Sequence, residues 1–128
     1  MQEKLKKLLE NSYSPYSNFP VAAIVVMKDG KEFQGVNVES ANYASSICSE
    51  RSAILSAISN GYKKGDFKEV HVMISSGEIG YPCFVCRQMI SELFSRDAIV
   101  KCYSTKGEVE IHTVEELCPY PFSEDDLK

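Results

Sequence analysis

Two internal segments with helical spacing each open on a cysteine, so any fold that lets those thiols act together must bring two helix starts to one place. The first runs from about Ser46 to Asn60 through Cys48-Ser49-Glu50-Arg51. It carries Ile47, Ile54, Leu55 and Ile58 at helical spacing and has Gly61 just past its end as a stop. The second is the run Cys83 to Phe94, with Met89, Ile90, Leu93 and Phe94 on one face. Cys83 and Cys86 form a C-x-x-C pair within its opening turn.

The remaining segments supply the frame around these two helices. Leu5, Leu8 and Leu9 share one face of an N-terminal helix that stops near Asn11, before a loop marked by Pro15 and Pro20. Two β-branched runs flank Lys28-Asp29-Gly30-Lys31, which predicts a β-hairpin turning at Asp-Gly. Strands are expected at 69–76, 98–104 and 108–113, with a turn at Thr105-Lys106-Gly107. A short C-terminal helix should follow, opened by Thr113 with Glu116 as a capping box. Strands alternating with helices predict an α/β fold, a three-layer α/β/α sandwich around a central mixed sheet of about five strands.

The chain has 128 residues, a length that fits one domain spanning 1–128. Apolar residues make up 44% and charged residues 25%, an ordinary globular balance. Lys and Arg number 14 against 18 Asp and Glu, a net charge of -4 with no basic block, so a nucleic-acid partner is not expected. No apolar run approaches the ~20 residues of a membrane span, and the N-terminus lacks the apolar core of a secretory signal. A cytoplasmic location is expected, and the odd count of five cysteines there suits thiols or metal ligands better than disulfides.

Catalytic zinc takes three protein ligands and leaves one position open. Cys48, Cys83 and Cys86 can converge from two helix starts, where the helix dipole favours thiolate and offsets the negative charge of three sulfurs. Arg51 is placed to add a further positive charge beside a sulfur, or else sits on the helix surface. Glu50, two residues from Cys48, points elsewhere on the helix and suits a proton carrier above the open position better than a ligand. Taken alone, it would be an acidic residue favouring its helix start. Two other readings stay open from the residues: a redox C-x-x-C pair, which leaves Cys48 and Glu50 unexplained, and a structural zinc site. The latter needs a fourth ligand from Cys102, Cys118, His71 or His112.

The strings Cys48-Ser49-Glu50 and Pro82-Cys83-Phe84-Val85-Cys86 match the zinc-deaminase signature, cysteine or histidine-x-E followed by P-C-x-x-C. With "SPYSNFPV" at 14–21, "GVNVESANY" at 35–43, "ICSERSAI" at 47–54, "CRQ" at 86–88 and "PYPFSEDDL" at 119–127, the chain resembles the small homotetrameric cytidine deaminases over nearly its whole length. The resemblance implies deamination of cytidine and deoxycytidine in pyrimidine salvage, with one Zn2+ per subunit held by Cys48, Cys83 and Cys86. It makes Glu50 the shuttle that moves a proton from water to ring N3 and helps protonate the departing amino group. By the same resemblance Asn37 and Glu39 bind the ribose 3'-hydroxyl, and Phe19 packs on the pyrimidine. Ala41, Tyr43 and Phe122 reach a neighbouring subunit's ligand in a homotetramer with shared sites.

The chain departs from the family pattern at Phe84 and Val85, where small residues are usual, and at Ala22 and the order Glu39-Ser40-Ala41-Asn42-Tyr43. These bear on pocket shape and leave two alternatives: a deaminase for a modified aminopyrimidine nucleoside, or a non-catalytic module stabilised by zinc.

Overall fold

The chain reverses at Asp29-Gly30, where Gly30 adopts φ +92°, a left-handed conformation that a side chain disfavours. The Asp29 carboxylate accepts a hydrogen bond from the Lys31 amide at 2.9 Å, which fixes the turn. The flanking strands are β1 (Val21–Met27) and β2 (Glu32–Val36), paired antiparallel from Ala22 with Val36 to Val26 with Glu32. The computed structural model describes residues 1–127.

An N-terminal helix, α1 (Gln2–Leu8), ends in a 3-10 turn over Leu9–Asn11. After the hairpin come α2 (Ser49–Ser59), β3 (Phe67–Ile74), α3 (Phe84–Leu93), β4 (Phe94–Tyr103), β5 (Val109–Thr113) and α4 (Val114–Leu117). The strands form one five-stranded sheet in the order β2-β1-β3-β4-β5. Among the strand pairs of the described residues only β3 and β4 run parallel, joined by α3 as a crossover, so the sheet is mixed as expected.

Alternation along the strands divides two cores. Val25 and Met27 of β1, Val70 and Val72 of β3, and Val100 and Cys102 of β4 meet Ala53, Ile54 and Ala57 of α2, Ile90 of α3 and Val114 of α4. On the other face Ala22, Ile24, Met73 and Tyr103 meet Leu5 and Leu8 of α1. The result is the expected α/β/α sandwich, with α1 alone on its side among the described residues. Each fully buried Val, Leu, Ile or Phe side chain stabilises it by about 1.5–3 kcal/mol.

Two details differ from the sequence reading. In α2 the buried face is Ala53, Ile54 and Ala57, whereas Leu55 and Ile58 are exposed. The cause is close packing: a Cβ on Gly35 of β2 would lie 2.4 Å from both the Ser49 carbonyl oxygen and the Ala53 nitrogen. A helix pressed that closely onto a strand presents alanines to it, which turns the larger residues outward. At the end of α3, Phe94 is already the first residue of β4, extended at φ -102° and ψ 158° and buried against Phe67. The capping box of α4 forms as expected, with Thr113 Oγ1 accepting from the Glu116 amide and Glu116 Oε1 from the Thr113 amide.

Candidate metal centre and active site

Cys48 and Cys83 occupy the caps of α2 and α3, each in extended backbone, and neither thiol caps its own helix. Both sulfurs are therefore available in front of two helix N-termini. Cys86, in the first turn of α3 and buried, brings a third, and the three sulfurs lie within 4.8 Å of one another. Cys48 Sγ and Cys83 Sγ stand 3.6 Å apart. An ion about 2.3 Å from two sulfurs at the tetrahedral angle sets them about 3.8 Å apart, so the donor set fits zinc.

The electrostatics agree with that fit. Contact with Cys86 brings the Cys48 thiol down to about 5 against the opposing effect of burial, helped by Arg51 and Cys83. The same contact and burial push Cys86 up, so Cys48 holds the negative charge first. The Arg51 guanidinium donates from Nη2 to Cys48 Sγ at 3.8 Å, which sets a positive charge beside that sulfur. Its buried Nε has no hydrogen-bond partner in the described structure.

No fourth Cys, His, Asp or Glu atom joins this group among the described residues, which leaves the three-donor set of a catalytic zinc site. Cys102 is buried in the core, its thiol pushed up to about 12 by burial. His71 is spent on Tyr103 and Glu69, at 2.7 and 3.0 Å. His112 bonds Glu110 on β5, and Cys118 caps the end of α4 outside the sulfur group. Three sulfurs at one point also exceed what a two-thiol redox pair requires.

Glu50 sits in the first turn of α2 and is 3% exposed. Burial raises its carboxyl above the usual carboxylate range, although Ser49 Oγ donates to its Oε1 at 2.6 Å. A buried carboxyl of raised affinity for protons is suited to accept and return one.

A cavity of about 400 Å³ opens beside the sulfurs, with Cys48, Glu50 and Cys83 in its lining together with Phe19, Asn37 and Glu39. Phe19 follows Asn18, whose φ of 54° turns the loop. Asn37 holds that loop: its Oδ1 accepts from Ser12 Oγ and the Val21 amide, and its Nδ2 donates to the Phe19 carbonyl. Glu39 does the same one step away, Oε1 accepting from the Tyr16 and Ser17 amides and Oε2 from Ser17 Oγ.

Ala41, Tyr43 and Phe122 are not brought to this cavity within the chain. Tyr43 lines a neighbouring hollow and meets Tyr16 edge-on at 6.2 Å, and Ala41 is exposed close by in sequence. Phe122 is 57% exposed on the C-terminal segment, its carbonyl bonded by Gln88. Sequence reasoning missed Ile74 and Tyr81, which also line the cavity, and the side-chain role of Ser49. Tyr81 carried one usable signal, its place immediately before Pro82-Cys83.

Residues 1–102 match the family described as the cytidine and deoxycytidylate deaminase zinc-binding region. A cytidine deaminase of Sporosarcina psychrophila is 38% identical over 122 residues, covering 95% of this chain and 88% of that protein. A blasticidin-S deaminase of Bacillus cereus is 29% identical over 127 residues, covering 94% and 86%. The crystal structure of cytidine deaminase from Burkholderia pseudomallei superposes with a TM-score of 0.89 at 38% identity, covering 94% of each chain. With residues 1–102 matching that zinc-binding region and a cytidine deaminase 38% identical over 95% of the chain, the chain belongs to the cytidine deaminase family.

Proposed function

We propose that this chain, as a single domain over 1–128, hydrolyses cytidine and deoxycytidine to uridine and deoxyuridine with release of ammonia. The observation that carries the proposal is the buried Glu50 beside a three-cysteine group, both on one cavity with Asn37 and Glu39. When bound by Cys48, Cys83 and Cys86, zinc supplies Lewis acidity and activates water as a nucleophile. Glu50 accepts a proton of the attacking water and delivers it to ring N3, while the water oxygen bonds to C4. Glu50, a carboxylate again, then takes the remaining proton from the new C4 hydroxyl and passes it to the amino nitrogen, so that the C4–N bond breaks, ammonia leaves and the C4 carbonyl forms.

Nucleoside binding follows from what the polar groups have left to offer. Asn37 has both oxygen lone pairs and one N–H engaged, leaving one donor. Glu39 accepts three hydrogen bonds of about four possible, leaving one acceptor site. One donor and one acceptor complement a single hydroxyl, as the ribose 3'-hydroxyl requires. Phe19, 42% exposed, offers its ring to the pyrimidine.

The proposal includes a homotetramer. Ala41, Tyr43 and Phe122 would complete a neighbour's site, and exposed Leu55, Ile58, Phe84 and Val85 would be covered by partner copies. A cytoplasmic enzyme of pyrimidine salvage fits these features, and no helix among the described residues is long and apolar enough to cross a membrane. The likeness to a blasticidin-S deaminase keeps a modified aminopyrimidine nucleoside as a second substrate reading.

The test is ammonia release from cytidine, deoxycytidine, cytosine, deoxycytidylate and blasticidin S by zinc-loaded protein. Turnover of cytidine and deoxycytidine is expected. Glu50→Gln should lose at least ~10²-fold in kcat, given the usual contribution of a positioned proton carrier, while retaining zinc. A fully zinc-loaded Glu50→Gln protein with wild-type turnover would sink the assignment.

A further inference from the structure

The cavity has an apolar side that the proposed reaction does not use. Ile74, at the end of β3, and Tyr81, in the loop before α3, both line it. The loop that carries Tyr81 packs on Ile74. A Cβ on Gly80 would lie 2.5 Å from Ile74 Cγ2 and 2.6 Å from its Cδ1, so the loop backbone rests directly on that side chain. Pro82, on the other side of Tyr81, is fully buried.

The ring of Tyr81 is held from β5 as well. Its hydroxyl donates to Glu110 Oε1 at 2.7 Å, and the same oxygen meets His112 Nε2 at 2.9 Å. His112 also stands edge-on to the Tyr81 ring, 5.7 Å between centroids. With its hydroxyl tied to Glu110, the side chain offers the cavity its ring. Tyr81 stands two positions before Cys83 and lines the same cavity, so this wall belongs to the sulfur side, where C4 of a pyrimidine must lie to react.

We infer that Tyr81, seated on Gly80 and Ile74 and tied to Glu110, is the specificity-determining wall that limits the substrate to cytosine nucleosides unsubstituted along their N4–C5 edge. The inference rests on the proposed deamination. With C4 at the sulfurs, N3 towards Glu50 and the ribose towards Asn37 and Glu39, the N4–C5 edge is the part of the base beside C4 that meets Ile74 and Tyr81. A ring tethered there by Glu110 rejects added groups by contact, whereas an untethered one would yield to them.

The test compares kcat/KM for cytidine, 5-methylcytidine and N4-methylcytidine in wild type, Tyr81→Ala, Tyr81→Ser and Tyr81→Phe. One extra methyl group in a closed pocket is discriminated by roughly 10–200-fold, so wild type should disfavour both methylated nucleosides on that scale. Either truncation that folds should raise the ratio of at least one methylated nucleoside to cytidine by ~10-fold or more. Tyr81→Phe, which keeps the ring, should hold the wild-type ratios within about threefold, a small part of that discrimination. Binding supplies a second readout: the dissociation constants of 5-methyluridine and uridine should converge in the truncated proteins. Equal wild-type use of cytidine and both methylated nucleosides, or ratios unchanged by truncation, would overturn the inference. Absence of cytidine turnover in wild type would instead strike the proposed deamination.

Discussion

Gly35→Ala tests whether the metal centre is aimed by the contact between β2 and α2. The added Cβ would lie 2.4 Å from the Ser49 carbonyl oxygen, 2.4 Å from the Ala53 nitrogen and 3.0 Å from the Ala53 Cα. All three are backbone atoms, so no side chain can rotate away. Nonbonded heavy atoms rest at about 3.5 Å, which requires α2 to withdraw by roughly 1 Å. Overpacking of this kind costs about 1–3 kcal/mol, or roughly 4–12 °C in melting temperature for a chain of this size. The same shift moves Cys48, Glu50 and Arg51 relative to Cys83 and Cys86, disturbing the 3.6 Å spacing of the Cys48 and Cys83 sulfurs. Misplacement by 1 Å in a catalytic arrangement costs about 10²-fold in rate. Thermal melts, zinc competition against a chelating dye and cytidine kinetics would read all three effects. A Gly35→Ala protein with wild-type melting temperature and zinc affinity would show that this contact does not set the position of α2.

Thr113→Ala removes half of the capping box on α4 and should cost about 1 kcal/mol, seen as a lower urea midpoint with an unchanged slope. His71 makes stability depend on pH: burial lowers its affinity for protons below the ordinary 6.5, although Glu69 opposes this. The unfolded chain then binds more protons, so this contribution is present above 6.5 and is lost as pH falls from there towards the lowered folded value. Melting temperature in that window should fall less steeply for His71→Gln than for wild type. Chelation of zinc should lower the melting temperature, with about 2.7 kcal/mol lost for metal previously at a hundredfold excess over its dissociation constant. Added Zn2+ should restore it where Mg2+, which prefers oxygen ligands, does not.

The frame was readable because its signals are local. Asp29-Gly30 turns a hairpin, β-branched runs make strands, and Thr113 with Glu116 opens α4 regardless of what lies far away in the chain. The buried face of α2 was not local. Whether Ile58 or Ala57 faces the core depends on how closely the helix meets Gly35, a contact between residues well separated in sequence. The same division holds in the site. Cys48, Cys83, Cys86 and Glu50 were legible because few chemistries use those residue types at that spacing. Tyr81 and Ile74 were not, because their place on the cavity depends on Gly80 settling over a strand end and on Glu110 reaching across from β5. The bonds of Asn37 and Glu39 to the 16–21 loop likewise required the folded backbone.

The three sulfurs also bear on the order in which this protein is assembled. Cys48 and Cys83 are 35 positions apart in sequence, and an unfolded chain that tied those positions together would lose about 4 kcal/mol of loop entropy. In the folded protein β3 and its flanking turns have already brought the two helix starts to within one ion's reach. Zinc capture is therefore favoured after the sheet has formed, and the ion arrives as a late fastener on a preformed seat.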